Sequence, residues 1–162
     1  MKTLIVYDSQ FGNTEQIAQR IANALCDVGQ VQMIHADPAH PLWLQGVDLL
    51  IVGSPTQVWN ATTAMRSTLK NTSPQLFHHL AVACFDTRFR KSRWMTGSAA
   101  LNLAKQLCAM GANLLLPPES FFVESKEGPL ASWEVTRATE WALNIYQQYE
   151  ASGQQKQKTH AG

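Results

Sequence analysis

Short apolar runs and amphipathic helical stretches take turns along nearly all of this 162-residue chain. Leu4–Tyr7, Val47–Val52 and Leu80–Phe85 are continuous apolar runs, the pattern of strands covered on both faces. Gln30–His35 is weaker, and its alternation through Val31 and Met33 predicts a less buried edge strand. Leu114–Leu116 and Phe121–Val123 read as one strand interrupted at Pro117-Pro118. Between the strands, Thr14–Val28 carries Ile17, Ile21, Ala24, Leu25 and Val28 on one helical stripe and stops at Gly29. A short helix bearing Met65 and Leu69 is predicted after a Thr62 or Thr63 cap, ending at Ser73-Pro74. Ser98–Met110 shows the stripe Ala100, Leu103, Ala104, Leu107 and Cys108. Gly128-Pro129 is read as opening a last helix in which Ala138, Trp141, Ala142 and Ile145 face inward. Residues 150–162, polar and rich in Gln and Lys, read as a disordered tail, leaving 1–149 as one domain.

Strands alternating with helices predict an α/β fold, a five-stranded parallel sheet with helices on both faces. Right-handed crossovers restrict such a sheet to a few doubly wound orders. Ligands of these sheets bind beyond the carboxyl ends of the strands, where the order reverses. The loops after Tyr7, Val52 and Phe85 are therefore the place to look.

Bulk properties narrow the partners. With 45% hydrophobic and 15% charged residues, the composition is that of an ordinary globular domain. A net charge of +1 gives no reason to expect nucleic acid or an anionic membrane. No apolar run approaches the roughly 20 residues of a membrane span, and Asp8 interrupts the first run too early for a signal peptide. A cytoplasmic protein, monomer or homodimer, is the expectation. The three cysteines, Cys26, Cys84 and Cys108, have no C-x-x-C spacing and read as buried structural thiols. The five histidines show no metal-ligand spacing, and no Ser/His/Asp or Cys/His arrangement emerges, so no metal site or catalytic residue is assigned.

The loop Ser9-Gln10-Phe11-Gly12-Asn13-Thr14, between a buried strand and a helix, has the makings of an anion site. Unpaired N–H groups at a helix start, aided by the helix dipole, suit a phosphate. Ser9 and Thr14 add hydroxyl donors, and Gly12 permits close approach or a positive φ. Neither G-x-x-x-x-G-K-S/T nor G-x-G-x-x-G is present. The loop holds no Lys or Arg, which points to neutral donors. A glycine turn before a helix, without any ligand, is the alternative for this loop taken alone.

The run Ile5-Val6-Tyr7-x-Ser9-x-x-Gly12-x-Thr14-x-x-x-Ala18-x-x-Ile21 resembles the flavodoxin signature at every constrained position. The similarity extends to about residue 149, because the element order fits the flavodoxin-like strand order 2-1-3-4-5. The resemblance implies FMN, its phosphate held by Ser9–Thr14 and its ring lying between two further loops. Phe11 departs from the pattern, standing where many flavodoxins carry a hydroxyl residue. Pro55-Thr56-Gln57-Val58-Trp59-Asn60 occupies the place of the first ring loop, and Trp59 is either a stacking face or packs over the following helix. Asp86-Thr87 resembles the family's Asp-Ser at the start of the second ring loop, and Gly97 the small-residue turn that closes it. That loop normally supplies a tyrosine; here the available aromatics are Phe89 and Trp94.

Arg88, Arg90, Lys91 and Arg93 form a basic run in a family whose carriers are typically acidic. A solvated loop, contact with an acidic redox partner, and stabilisation of reduced, anionic flavin are the readings. The resemblance thus implies an FMN-binding electron-transfer protein. A reductase acting on a quinone-like or porphyrin-like molecule is the alternative, and a non-redox interaction module without the cofactor a third reading.

Overall fold

The computed structural model describes residues 1–160, with side chains described through residue 153. Its strands are β1 (Lys2–Tyr7), β2 (Gln30–His35), β3 (Leu49–Pro55), β4 (Ala81–Phe89), β5 (Asn113–Leu114) and β6 (Glu119–Val123). Its helices are α1 (Asn13–Cys26), α2 (Thr63–Asn71), α3 (Arg93–Thr96), α4 (Ala99–Ala109) and α5 (Glu134–His160), with a 3-10 turn at Pro74–Phe77. The sheet runs β2-β1-β3-β4-β5, and β6 also pairs with β4; all pairings are parallel. The expected order 2-1-3-4-5 is therefore the observed one.

Period-2 alternation along the central strands divides the apolar side chains between two cores. Leu4, Val6, Leu50, Val52, Val82 and Cys84 meet Met65, Leu69, Leu103 and Leu107 of α2 and α4. Ile5, Leu49, Ile51, Ala83 and Phe85 face the other way, onto Ile17, Ile21 and Leu25 of α1 and Trp141 and Ile145 of α5. Each such fully buried Leu or Ile contributes about 1.5–3 kcal/mol. Phe85, Phe121 and Trp141 complete the second core as edge-on pairs, each with centroids 6.0 Å apart. Thr62 caps α2, its hydroxyl accepting the Met65 N–H at 3.2 Å.

Several sequence expectations are corrected. The strand ending at Phe85 continues to Phe89, because Phe85–Phe89 pair in register with Glu119–Val123. Asp86, Thr87, Arg88 and Phe89 thus belong to a strand, not to a loop. The interrupted fifth strand is two strands sharing one edge of β4. Val82 pairs Leu114 and Phe85 pairs Glu119, so the Pro-containing link absorbs the change of register. Val47 lies before its strand, which begins at Leu49. Gly128-Pro129 sits in a loop joined by a cis bond, and the last helix begins at Glu134. That helix runs on to His160, into the segment read as a disordered tail; 161 and 162 lie outside the described residues. Cys84 is buried, which pushes its thiol pKa well up, but Cys26 and Cys108 are exposed. In the last turn of α4 it is Leu107, fully buried, that faces the sheet, leaving Cys108 to solvent.

Candidate functional site

The carboxyl ends of β1, β3 and β4 open onto one cavity of about 630 Å³, within the size range of small-molecule sites. Ser9, Gln10, Phe11, Asn13 and Thr14 line it from the first loop, and Pro55–Trp59 from the second. Thr87, Arg88, Phe89, Met95 and Thr96 line it from the third side, and Val123 and Lys126 close it beyond β6.

The first loop is shaped by Gly12, whose φ of 82° places it in the left-handed region that L side chains avoid. This turn starts α1 so that Gln16 N–H is the first to close a helical bond, onto Gly12 O at 3.0 Å. Glu15 N–H goes to Ser9 Oγ at 3.3 Å. The amides of residues 10–14 have no acceptor among the described residues, so this helix start presents open donors to the cavity wall. Thr14 is buried, and its Oγ1 shares a 2.8 Å hydrogen bond with Thr87 Oγ1, tying the loop to β4.

The second loop is a tight hairpin. Gln57 and Asn60 exchange backbone hydrogen bonds of 2.8 and 2.9 Å around Val58 and Trp59. Both tip residues have positive φ, 46° and 64°, the geometry of a type I′ turn normally given to Asn and Gly. A β-branched residue there is strained, and such strain collects at ligand clamps. Trp59 is held from behind: Asn102 Nδ2 donates to its carbonyl at 2.9 Å, and Gly97 pairs with its backbone. A Cβ on Gly97 would stand 2.3 Å from Trp59 Cα, so only glycine fits. Trp59 lines the cavity while remaining 56% exposed.

Behind the third wall lies a buried polar knot. Asp86 is fully buried, and its Oδ2 accepts from Thr56 Oγ1 (3.1 Å), Ser98 Oγ (2.6 Å) and Ala100 N–H (3.0 Å). One carboxylate oxygen thereby joins the second loop to the start of α4. Its Oδ1 has no hydrogen-bond partner and faces Arg88 Nε at 3.9 Å. Arg88 is 8% exposed; Nε donates to Ser120 Oγ (3.0 Å) and Nη1 to Lys91 O (2.7 Å), Phe89 O (3.3 Å) and Thr96 Oγ1 (3.1 Å). Burial lowers its pKa from the ordinary value, with the Asp86 carboxylate opposing.

The basic run is therefore not one solvated unit. Arg88 is a buried anchor in the cavity wall. Arg90 is largely exposed, lies over the Phe122 ring and reaches buried Glu134 at 3.7 Å. Lys91 and Arg93 are exposed. Of the two candidate aromatics, Phe89 lines the cavity and Trp94, 81% exposed, does not. Gly12, Asn60, Asp86 and Gly97 shape the walls without lining the space. Sequence reasoning missed Met95, Thr96, Val123 and Lys126. The last two reach the site only because β6 pairs along β4, a contact with no local sequence signal.

The lining residues include Arg88 and Lys126 but no Asp, Glu, His or Cys. The other polar side chains of the wall are hydroxyls and amides, from Ser9, Gln10, Asn13, Thr14, Thr56, Gln57, Thr87 and Thr96. Phe11, Val58, Trp59, Phe89, Met95 and Val123 give apolar faces for a flat ring, and the open amides and cations suit an anion. Among the described residues, no group of three metal-ligating side chains occurs, and no helix is long and apolar enough to cross a membrane.

Similarity to known proteins agrees with this geometry. No curated protein sequence matches the chain. Among solved structures, a flavodoxin from the domain Archaea superposes with a TM-score of 0.75 at 19% identity, covering 93% of this chain and 99% of that one. The WrbA-like flavodoxin of Agrobacterium tumefaciens gives 0.71 at 14% identity, covering 93% and 98%. Rubredoxin:oxygen oxidoreductase of Desulfovibrio gigas gives 0.71 at 21% identity, covering 93% of this chain but 36% of that larger one. At such identities the structures speak for the fold alone. A family model, the flavodoxin domain, matches residues 4–105, from the first strand through the phosphate-type loop and both further loops into α4. With that match over most of the chain, and with the strand order and loop placement described above, the protein belongs to the flavodoxin domain family.

Proposed function

We propose that this domain binds FMN in the cavity and transfers electrons between redox partners, in the cytoplasm. The observation that carries the reading is the convergence of open backbone donors at Gln10–Thr14 and apolar faces at Trp59 and Phe89 on one carboxylate-free space. The donor set fits a phosphate, and the facing apolar walls fit a planar ring. Ser9 and Thr14 would hold the phosphate, with Trp59 and Phe89 against the ring. Bound flavin would supply the redox chemistry. Asp86 and Arg88 act on the site by fixing the second and third walls in place. The exposed cations Arg90, Lys91 and Arg93 favour an acidic partner protein over one that docks on acidic carriers.

The reductase reading is favoured by one observation. The mouth keeps apolar side chains exposed, Val58 at 89% and Met95 at 48%, beside a cationic wall, an environment suited to a flat anionic acceptor. Two measurements test the pair of readings. The purified protein reconstituted with FMN should show a perturbed flavin spectrum; an unchanged spectrum ends both. Turnover of NAD(P)H with a small quinone, in the absence of any added reductase, would replace carrier with enzyme.

A further inference from the structure

We infer that Lys126 supplies the positive charge for the flavin phosphate that the phosphate loop itself lacks. The inference rests on the FMN reading and adds a residue to it from a distant part of the chain. A phosphate monoester carries roughly −1.5 to −2 charges near neutral pH. Against that, Ser9–Thr14 brings amides and hydroxyls but no cation.

The structure brings one to the same space. Lys126 lines the cavity together with Ser9, Asn13 and Thr14, the residues of the open helix start. Its loop is closed on itself, with Glu124 N–H donating to Pro129 O at 2.9 Å and Gly128 N–H to Ser125 O at 3.2 Å. The loop is also fixed to the first residue of α1, where Asn13 Nδ2 donates to Glu127 O at 3.0 Å. Lys126 is thus one residue from an anchor on the helix that presents the free amides.

The alternatives are otherwise engaged. Arg88, the other cation of the wall, is more than nine-tenths buried and committed to Ser120, Phe89, Lys91 and Thr96 at the end of β4. Lys126 has no ion-pair partner among the described residues. Its acidic neighbours Glu124 and Glu127 are exposed, and neither lines the cavity. Glu15, in the first turn of α1, is turned to Tyr7, whose hydroxyl donates to it at 2.9 Å. An exposed lysine with no ion-pair partner among the described residues, lining a carboxylate-free cavity together with the residues of the open helix start, suits a doubly charged anion.

The role predicts selectivity for the phosphate, not for the ring. FMN and riboflavin dissociation constants should be measured at low and high salt for the wild type, Lys126→Gln, Lys126→Arg and, as a surface control, Lys105→Gln. Lys126→Gln should lose about three- to tenfold in FMN affinity at low salt. It should also lose much of the salt dependence, with riboflavin affinity unchanged. Lys126→Arg and Lys105→Gln should behave as wild type. Wild-type FMN affinity and salt slope in Lys126→Gln would overturn the assignment. So would an equal loss for riboflavin, which would mark a structural role for the loop. Failure of the wild type to prefer FMN to riboflavin would instead overturn the underlying FMN reading, and this inference with it.

Discussion

On the proposed reading Thr14 would act on the FMN phosphate and Trp59 on the ring, and single substitutions separate the two roles. Thr14 Oγ1 is within 2.8 Å of Thr87 Oγ1, so its hydroxyl is already placed at the wall before any ligand arrives. Removing it in Thr14→Ala takes away a hydrogen bond to a charged group, costing about 1.5–3 kcal/mol in FMN binding. Riboflavin binding should change by much less, and isothermal titration of both ligands checks this. Trp59→Ala should weaken FMN by about 0.5–1.5 kcal/mol beyond the lost area and reduce the fluorescence quenching that accompanies binding. A variant that binds FMN as the wild type does would remove Trp59 from the site. Arg88 is a third case, because its charge is fixed by the strand rather than mobile in a loop. Replacing it with Gln should lower the potential of the second electron by an amount equivalent to about 1 kcal/mol, the scale of a partly screened charge at several Å. Redox titration of bound FMN tests it, and an unmoved potential would leave Arg88 a purely structural anchor. Because Asp86 would then be buried without its cation, the same substitution should also destabilise the fold.

At the level of elements, the second loop is where local preference and structure disagree most. Val58, at φ 46° and 89% exposed, occupies a turn position that Asn fills without strain. Val58→Asn should raise the unfolding free energy by about 1 kcal/mol, seen as a higher urea midpoint at unchanged slope. A lower midpoint would mean that Val58 is held by contacts the turn geometry does not reveal. Elements with a continuous apolar run or a 3.6-residue stripe were readable from the chain: β1, α1 and the inward face of α5 lie where Leu4–Tyr7, Ile17–Leu25 and Trp141–Ile145 imply. The end of β4 was not readable, because Asp86-Thr87-Arg88 is polar and becomes strand only through pairing with β6. The same pairing carries Val123 and Lys126 to the cavity, so the fourth wall is a tertiary fact with no local signature. The reading of Arg88–Arg93 as one basic loop failed for the same reason: burial separates Arg88 from its neighbours.

For the whole molecule, the two cores on either side of the sheet hold the strands, and the site is the place where their carboxyl ends leave the sheet uncovered. A ligand that bridges the three loops should stabilise the entire domain, since it binds only when β1, β3 and β4 are in register. At a hundredfold excess over its dissociation constant, FMN should add about 2.7 kcal/mol to the unfolding free energy. Calorimetric scans with increasing FMN should show a rising midpoint, and a midpoint independent of FMN would contradict binding to the folded state. The Ser9–Thr14 loop signature is visible in the chain because its residues are close in sequence, whereas the strand order is reached only through the family resemblance that this signature carries. The cavity's charge is not visible in the chain, because it combines Arg88 with Lys126 across the β4–β6 pairing. The most direct measurement is a paired equilibrium titration of the apo-protein with FMN and with riboflavin. FMN should bind distinctly more tightly than riboflavin, because on the proposed reading the Ser9–Thr14 amides and hydroxyls would act on the phosphate alone. Equal affinity for the two, or no binding of FMN, would contradict it.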